Sequence, residues 1–173
     1  MNARTLIFTG EGKGKTTAAL GMVLRAAGHK QRVLVVQFVK SNSETGELLA
    51  LARLPGVEIV QMGLGFVPPM DHPLFDSHRE AARNALDFSR RAVGSGQHDL
   101  IVLDEICVAV ARNLIEEDAV IELLSDSQRT ACIVLTGRGA TPRLIEQADT
   151  ATEARCIKHG FQQGIPAQKG VEW

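Results

Sequence analysis

The chain has 173 residues, with 19 Lys and Arg against 20 Asp and Glu and a formal net charge of -1, a length that at about 100–200 residues per domain predicts one compact domain. Hydrophobic residues make up 45% and charged residues 23%, which is globular usage and excludes a disordered chain. The lack of a basic excess, with six Phe, one Trp and no Tyr, argues against a nucleic-acid partner.

The chain opens on Met1-Asn2-Ala3-Arg4 and an apolar run far shorter than the roughly 20 residues of a membrane span. A basic start, apolar stretch and small-residue cleavage site do not follow one another, so no signal peptide is expected. Cys107, Cys132 and Cys156 are odd in number and set in apolar surroundings, which predicts buried reduced thiols. The expectation is a cytoplasmic protein that does not engage a membrane.

Arg4–Thr9 is a short strand, followed by the Gly-rich Gly10–Lys15. Thr16–Ala27 reads as a helix with Gly28 as its C-cap. Arg32–Phe38 holds four consecutive apolar residues, as expected of a strand covered on both faces. Gly46–Leu54 is a short helix, and Val57–Gln61 a third strand. Met62–Asp76 carries three Pro and two Gly and is the longest irregular stretch, the kind of loop that is usually functional or mobile. Ser77 and Glu80 form a capping box, which predicts a helix from Ser77 to about Val93.

Leu100–Asp104 is the next strand, with Ile106–Asn113 and Glu117–Leu124 as helices and Ala131–Thr136 as a further buried strand. Thr141-Pro142 is a helix start, Thr as N-cap and Pro at the first helical position. A strand over Thr152–Ile157 and an irregular tail finish the chain. Strands alternating with helices predict one α/β domain over residues 1–173, a mostly parallel sheet with helices on both faces.

The strongest chemical signal is Thr9-Gly10-Glu11-Gly12-Lys13-Gly14-Lys15-Thr16-Thr17. A phosphate loop needs a strand, a Gly-rich turn, then Lys and a hydroxyl at a helix start. Glycines let backbone N–H groups converge on phosphate oxygens, the helix N-terminus and Lys15 add positive charge, and Thr16 can hold a magnesium ion. Thr9 stands where the strict pattern has Gly.

Leu100-Ile101-Val102-Leu103-Asp104-Glu105 places two carboxylates at the carboxyl end of a buried strand, where open α/β sheets bind ligands. Asp104 and Glu105 are candidate partners of the metal or its water shell, the alternative being a solvated turn. Thr136-Gly137-Arg138-Gly139 also follows a strand. Arg138 reads equally as a triphosphate clamp or as a solvated turn residue, and Gly139 allows close approach. Gln37 and Lys40 sit at the same sheet edge, Lys40 either as a phosphate contact or as a surface lysine. His29, His72, His78, His98 and His159 are scattered and read as surface or loop residues. Phe66 is either a core plug or the cover of a large flat ligand. These motifs alone describe a protein binding a nucleoside triphosphate with magnesium, without naming its reaction.

Several phrases together resemble the phosphate-loop class of ATP:cob(I)alamin (corrinoid) adenosyltransferases. They are Gly10–Thr17, Val36-Gln37-Phe38-Val39-Lys40, Gly65-Phe66, Val102-Leu103-Asp104-Glu105, Thr136-Gly137-Arg138-Gly139 and Lys158-His159-Gly160-Phe161. The likeness runs from Leu6 to the C-terminus. It implies that reduced cobalt of cobalamin or a corrinoid precursor attacks C5′ of ATP and inorganic triphosphate leaves. It further implies ATP lying reversed in the loop, Thr16 with Glu105 and Asp104 around Mg2+ or Mn2+, and no general base. The class presses aromatic residues on the lower corrin face to displace the cobalt ligand. Phe66 matches one of these, whereas Pro68 stands near the place of the companion Trp, with Phe75 as a candidate substitute and the only Trp at Trp173. Members often carry an N-terminal extension over the site, and only Met1–Ala3 precede the first expected strand here. A homodimer and a flavodoxin-type electron donor are also implied. The rival readings are a phosphate-loop kinase or ATPase, and a non-catalytic nucleotide- or corrinoid-binding protein.

Overall fold

A computed structural model describes residues 3–171. Six parallel strands form one sheet in the order β3-β2-β4-β5-β1-β6: β1 (Thr5–Thr9), β2 (Val33–Gln37), β3 (Val57–Gln61), β4 (Leu100–Asp104), β5 (Cys132–Thr136) and β6 (Thr150–Glu153). Side chains alternate across a strand, so each apolar run supplies both faces. Val33, Val35, Leu100, Val102 and Val134 pack beneath α1 (Lys15–Gly28) and α2 (Gly46–Leu51). Leu34, Val36, Ile101, Leu103, Ile133 and Leu135 pack on the other face. They meet α3 (Phe75–Ser95), α4 (Ile106–Ala111), α5 (Glu117–Leu124) and α6 (Pro142–Glu146). Helices cover both faces, as the uninterrupted β2 and β4 runs require.

The centres of β1 to β5 lie where the sequence places them, whereas β6 and several helix ends differ where tertiary contacts intervene. Gly28 is the last helical residue and not the cap: His29 follows it as C-cap, and Lys30 takes the left-handed turn at φ 58°. Helix α3 starts at Phe75, ahead of the Ser77–Glu80 box, because the Phe75 side chain is buried and Nδ1 of His72 accepts the Leu74 N–H at 3.1 Å. Helices α2 and α4 stop earlier than expected, at Leu51 and Ala111. Strand β6 is Thr150–Glu153 and not Thr152–Ile157, since its pairing with β1 ends where Thr9 meets Glu153. Beyond that point the chain turns to brace the phosphate loop. The Thr141 cap holds as expected, its hydroxyl accepting the Leu144 N–H at 3.2 Å.

Of the three thiols only Cys107 is buried, while Cys132 and Cys156 are partly exposed; all are reduced. His78, expected at the surface, is buried along α3. Among the described residues no helix is long and apolar enough to cross a membrane. Trp173 lies outside the described residues.

Candidate functional site

In a parallel sheet all carboxyl ends share one edge, and here each strand ends on a polar residue. Thr9, Gln37, Gln61, Asp104, Thr136 and Glu153 close β1 to β6. The register sets Gln37 beside both Asp104 and Gln61, and Thr9 beside Glu153. A cleft of about 680 Å³ opens over this edge, lined by the loop from Glu11 to Thr17, Lys40, Glu105, Arg138 and Phe66.

The loop between β1 and α1 wraps around its own lysine. The Lys15 ammonium donates to the Gly10 and Gly12 carbonyls at 2.7 and 2.6 Å. Burial and the nearby Arg138 hold its pKa below the ordinary lysine value. The loop is braced from behind: the Gly12 N–H donates to the Ala154 carbonyl at 2.6 Å, and a Cβ on Gly12 would meet the Arg155 carbonyl at 2.6 Å. Only glycine permits that approach. Thr9 stands in the place of a motif glycine, and its hydroxyl accepts the Ala140 N–H at 3.2 Å, tying the loop's root to the turn after β5.

Asp104 is the hub. Its side chain is fully buried, and Oδ1 accepts the Thr16 hydroxyl at 2.8 Å and the Thr136 hydroxyl at 2.6 Å. Oδ2 accepts the Gln37 amide at 3.0 Å, and Gln37 in turn accepts from Gln61 at 2.9 Å. These donors make a buried carboxylate tolerable. The Lys40 ammonium lies 3.7 Å from Oδ2 and donates to Glu47 on α2 at 2.7 Å. Burial alone would lower the Lys40 pKa, but Asp104 and Glu47 outweigh it and hold it above the ordinary value. Lys40 is therefore a fixed, half-buried cation at the cleft wall and not a solvated surface lysine.

Glu105 adopts φ 64°, a left-handed conformation that is strained for a residue with a Cβ. Its N–H donates to the Thr136 hydroxyl at 2.9 Å, which holds the turn. Its side chain points into the cleft with Oε2 buried and unpartnered among the described residues. Burial, then Asp104, push its pKa above the ordinary carboxylate value. An orphaned buried carboxylate oxygen beside a threonine hydroxyl and a second carboxylate fits a divalent cation.

Arg138 reaches back over the loop to Glu11, Nε to Oε2 at 3.4 Å, and both side chains are exposed. Phe66 is 91% exposed and lines the cleft, so it is no core plug; its neighbour Val67 takes the buried position. Phe75 is 2% exposed in the core at the start of α3 and cannot stand in for a second aromatic at the site. Expected residues from five loops, those after β1 to β5, thus converge on one cleft, while Thr9, Gly10, Gln37 and Asp104 stand behind its lining. Glu47, Gln61 and Arg112 went unsingled in the sequence, and Thr136 stood there only as the first residue of the Thr136-Gly137-Arg138-Gly139 phrase, with no role of its own. Only the polar residue ending each apolar strand signalled Thr136 and Gln61, and nothing local signalled Glu47 or Arg112.

A lysine-bearing phosphate loop after β1, whose threonine is tied to the carboxylate ending β4 two strands away, defines a phosphate-loop nucleotide-binding protein. Two solved structures share the fold at low identity. Flagellar accessory protein FlaH from Methanocaldococcus jannaschii aligns with a TM-score of 0.58 at 13% identity, over 87% of this chain and 70% of that one. EssC (ATPases 2 and 3) from Geobacillus thermodenitrificans aligns with 0.52 at 16% identity, over 97% of this chain and 35% of that one.

The family described as ATP:corrinoid adenosyltransferase BtuR/CobO/CobP matches residues 2–173. Proteins named corrinoid adenosyltransferase are 36% identical in Escherichia coli strain K12, over 97% of this chain and 84% of theirs, and 40% identical in Pseudomonas aeruginosa, over 97% and 82%. The chain belongs to the ATP:corrinoid adenosyltransferase family and is an enzyme that adenosylates corrinoids with ATP.

Proposed function

We propose that the chain transfers the 5′-deoxyadenosyl group of ATP to the cobalt of a reduced corrinoid, giving adenosylcobalamin, or the adenosyl form of a precursor such as cobinamide or cobyrinate, with inorganic triphosphate. The electron pair of cobalt(I) forms the Co–C5′ bond while the C5′–O bond breaks, its pair leaving on the triphosphate. Such a displacement needs stabilisation of the leaving charge and no general base. The single observation that carries the reading is the junction of a cationic phosphate loop with an exposed aromatic, Phe66, across one cleft.

The nucleotide is bound by Thr9, Gly10, Glu11, Gly12, Lys13, Gly14, Lys15, Thr16 and Thr17, with Lys40, Arg138 and Gly139 from other strand ends, while the buried Gln37 acts behind them by holding Asp104. Lys15 exchanges its loop carbonyls for phosphate oxygens, and Arg138 leaves Glu11 for the same charge. Thr16 and Glu105 would hold Mg2+ or Mn2+, with Asp104 orienting the Thr16 hydroxyl by the bond it already makes. A divalent ion there supplies positive charge against the triphosphate. Phe66 packs on the lower corrin face and favours loss of the cobalt ligand that opposes reduction. The working protein is a cytoplasmic homodimer served by a flavodoxin-type donor, the dimer and the donor being supported by the family likeness alone.

The test is anaerobic turnover with ATP, magnesium, a strong reductant and cobalamin. A light-sensitive cobalt–carbon product with one triphosphate per adenosyl group is expected. ADP and phosphate without spectral change would overturn the reading in favour of γ-phosphoryl chemistry.

A further inference from the structure

The segment carrying Phe66 is fastened on both sides of that residue. Before it, the Met62 N–H donates to the Gln37 carbonyl at 3.0 Å and the Gly65 N–H to the Val39 carbonyl at 2.7 Å. After it, Val67 is buried in the core. The Arg112 guanidinium, just past the end of α4, donates through Nη2 to the Pro68 carbonyl at 2.9 Å and to the Val67 carbonyl at 3.3 Å. The neighbouring Asn113 amide lies 4.0 Å from the Met70 sulfur. Arg112 and Val67 both line the cleft beside Phe66.

A charged donor on a carbonyl is stronger than a neutral one, and these two bonds grip the two residues following the exposed ring. Without them the Val67–Pro68 carbonyls would turn to water, and Val67 burial with the long Asn113–Met70 contact would be what restrains the ring from that side. An aromatic that must displace a metal ligand works by standing still at a set height, because a mobile ring yields to the ligand it should exclude. We infer that Arg112 is a positioning residue for the reaction: by clamping the Val67 and Pro68 carbonyls it fixes Phe66 against the corrin, and so governs the reduction-competent state more than alkylation itself. The inference rests on the proposed role of Phe66.

The experiment compares the wild-type protein with Arg112→Ala, Arg112→Lys, Phe66→Ala and the Phe66→Ala/Arg112→Ala double variant. Each is assayed for adenosylation from cob(II)alamin with reductant and from chemically prepared cob(I)alamin, and amide exchange over Gly65–Met70 is followed without ligand. Phe66→Ala and Arg112→Ala should each lower the cobalt(II)-to-cobalt(I) rate ratio, Arg112→Ala by about tenfold. Arg112→Lys should recover part of that loss, and the double variant should match Phe66→Ala. Loop exchange should quicken in Arg112→Ala while the thermal midpoint stays within about 2 °C, as for an exposed side chain. Unchanged exchange, or an unchanged ratio in Arg112→Ala while Phe66→Ala lowers it, would overturn the inference alone. Equal losses from both cobalt states in Phe66→Ala would overturn the reading of Phe66 itself, and the inference with it.

Discussion

Asp104 and Thr16 stand 88 positions apart in the chain, yet the Thr16 hydroxyl donates to Asp104 Oδ1 at 2.8 Å. This bond joins the phosphate loop's helix to the end of β4 and makes the two motifs one site. Thr136 shares the same oxygen and also accepts the Glu105 N–H. Thr136→Val keeps the shape but orphans the Glu105 N–H and removes a donor from a buried carboxylate. A loss of about 1–3 kcal/mol in urea unfolding is expected. Thr136→Ser, which keeps both bonds, should lose less than about 1 kcal/mol.

Gly63 and Gly21 should respond oppositely to alanine. A Cβ on Gly63 would overlap the Val39 backbone, which cannot yield without moving β2 or the Phe66 loop, whereas nothing lies within 4 Å of a Cβ on Gly21 in α1. Gly63→Ala should cost about 1–3 kcal/mol by overpacking. Gly21→Ala should add about 0.5–1 kcal/mol by relieving a helical glycine. Denaturant midpoints measure both.

Burial pushes the Cys107 thiol up to about 12, so at neutral pH it is neither ionised nor reachable. Thiol titration of the folded protein should count at most Cys132 and Cys156, and all three residues after unfolding. Prompt labelling of Cys107 in the native state would contradict the packing of α4 on the sheet.

Burial, with His72 nearby, holds His78 below the ordinary imidazole value. The unfolded chain then takes up that proton at higher pH than the folded one. The stability this group contributes is complete above its unfolded pKa of about 6.5 and is lost as the pH falls through its lower folded value. Unfolding free energies measured from pH 7.5 down to pH 5 should decline in the wild type, and His78→Asn should flatten that part of the decline.

Much was legible locally because it is written in adjacent residues. Val33–Val36 and Leu100–Leu103 announce strands covered on both faces, and Gly10–Thr17 announces its loop by spacing alone. Element ends were less legible: the Ser77–Glu80 box is a local preference, overridden when burying Phe75 stabilises an earlier start. Phe66 and Phe75 carry the same side chain nine positions apart, and no local rule tells which is the cleft's and which the core's.

By itself the sequence determined the α/β class, the phosphate loop, the carboxylates after β4 and the likeness to the corrinoid adenosyltransferases, because each rests on contiguous residues and their period. Tertiary structure alone decided that Asp104 gathers Thr16, Thr136 and Gln37, that Lys40 is held by Glu47, and that Arg112 clamps the loop of Phe66. Those partners come from separate strands and helices, and only the sheet order and register bring their donors and acceptors within bonding distance.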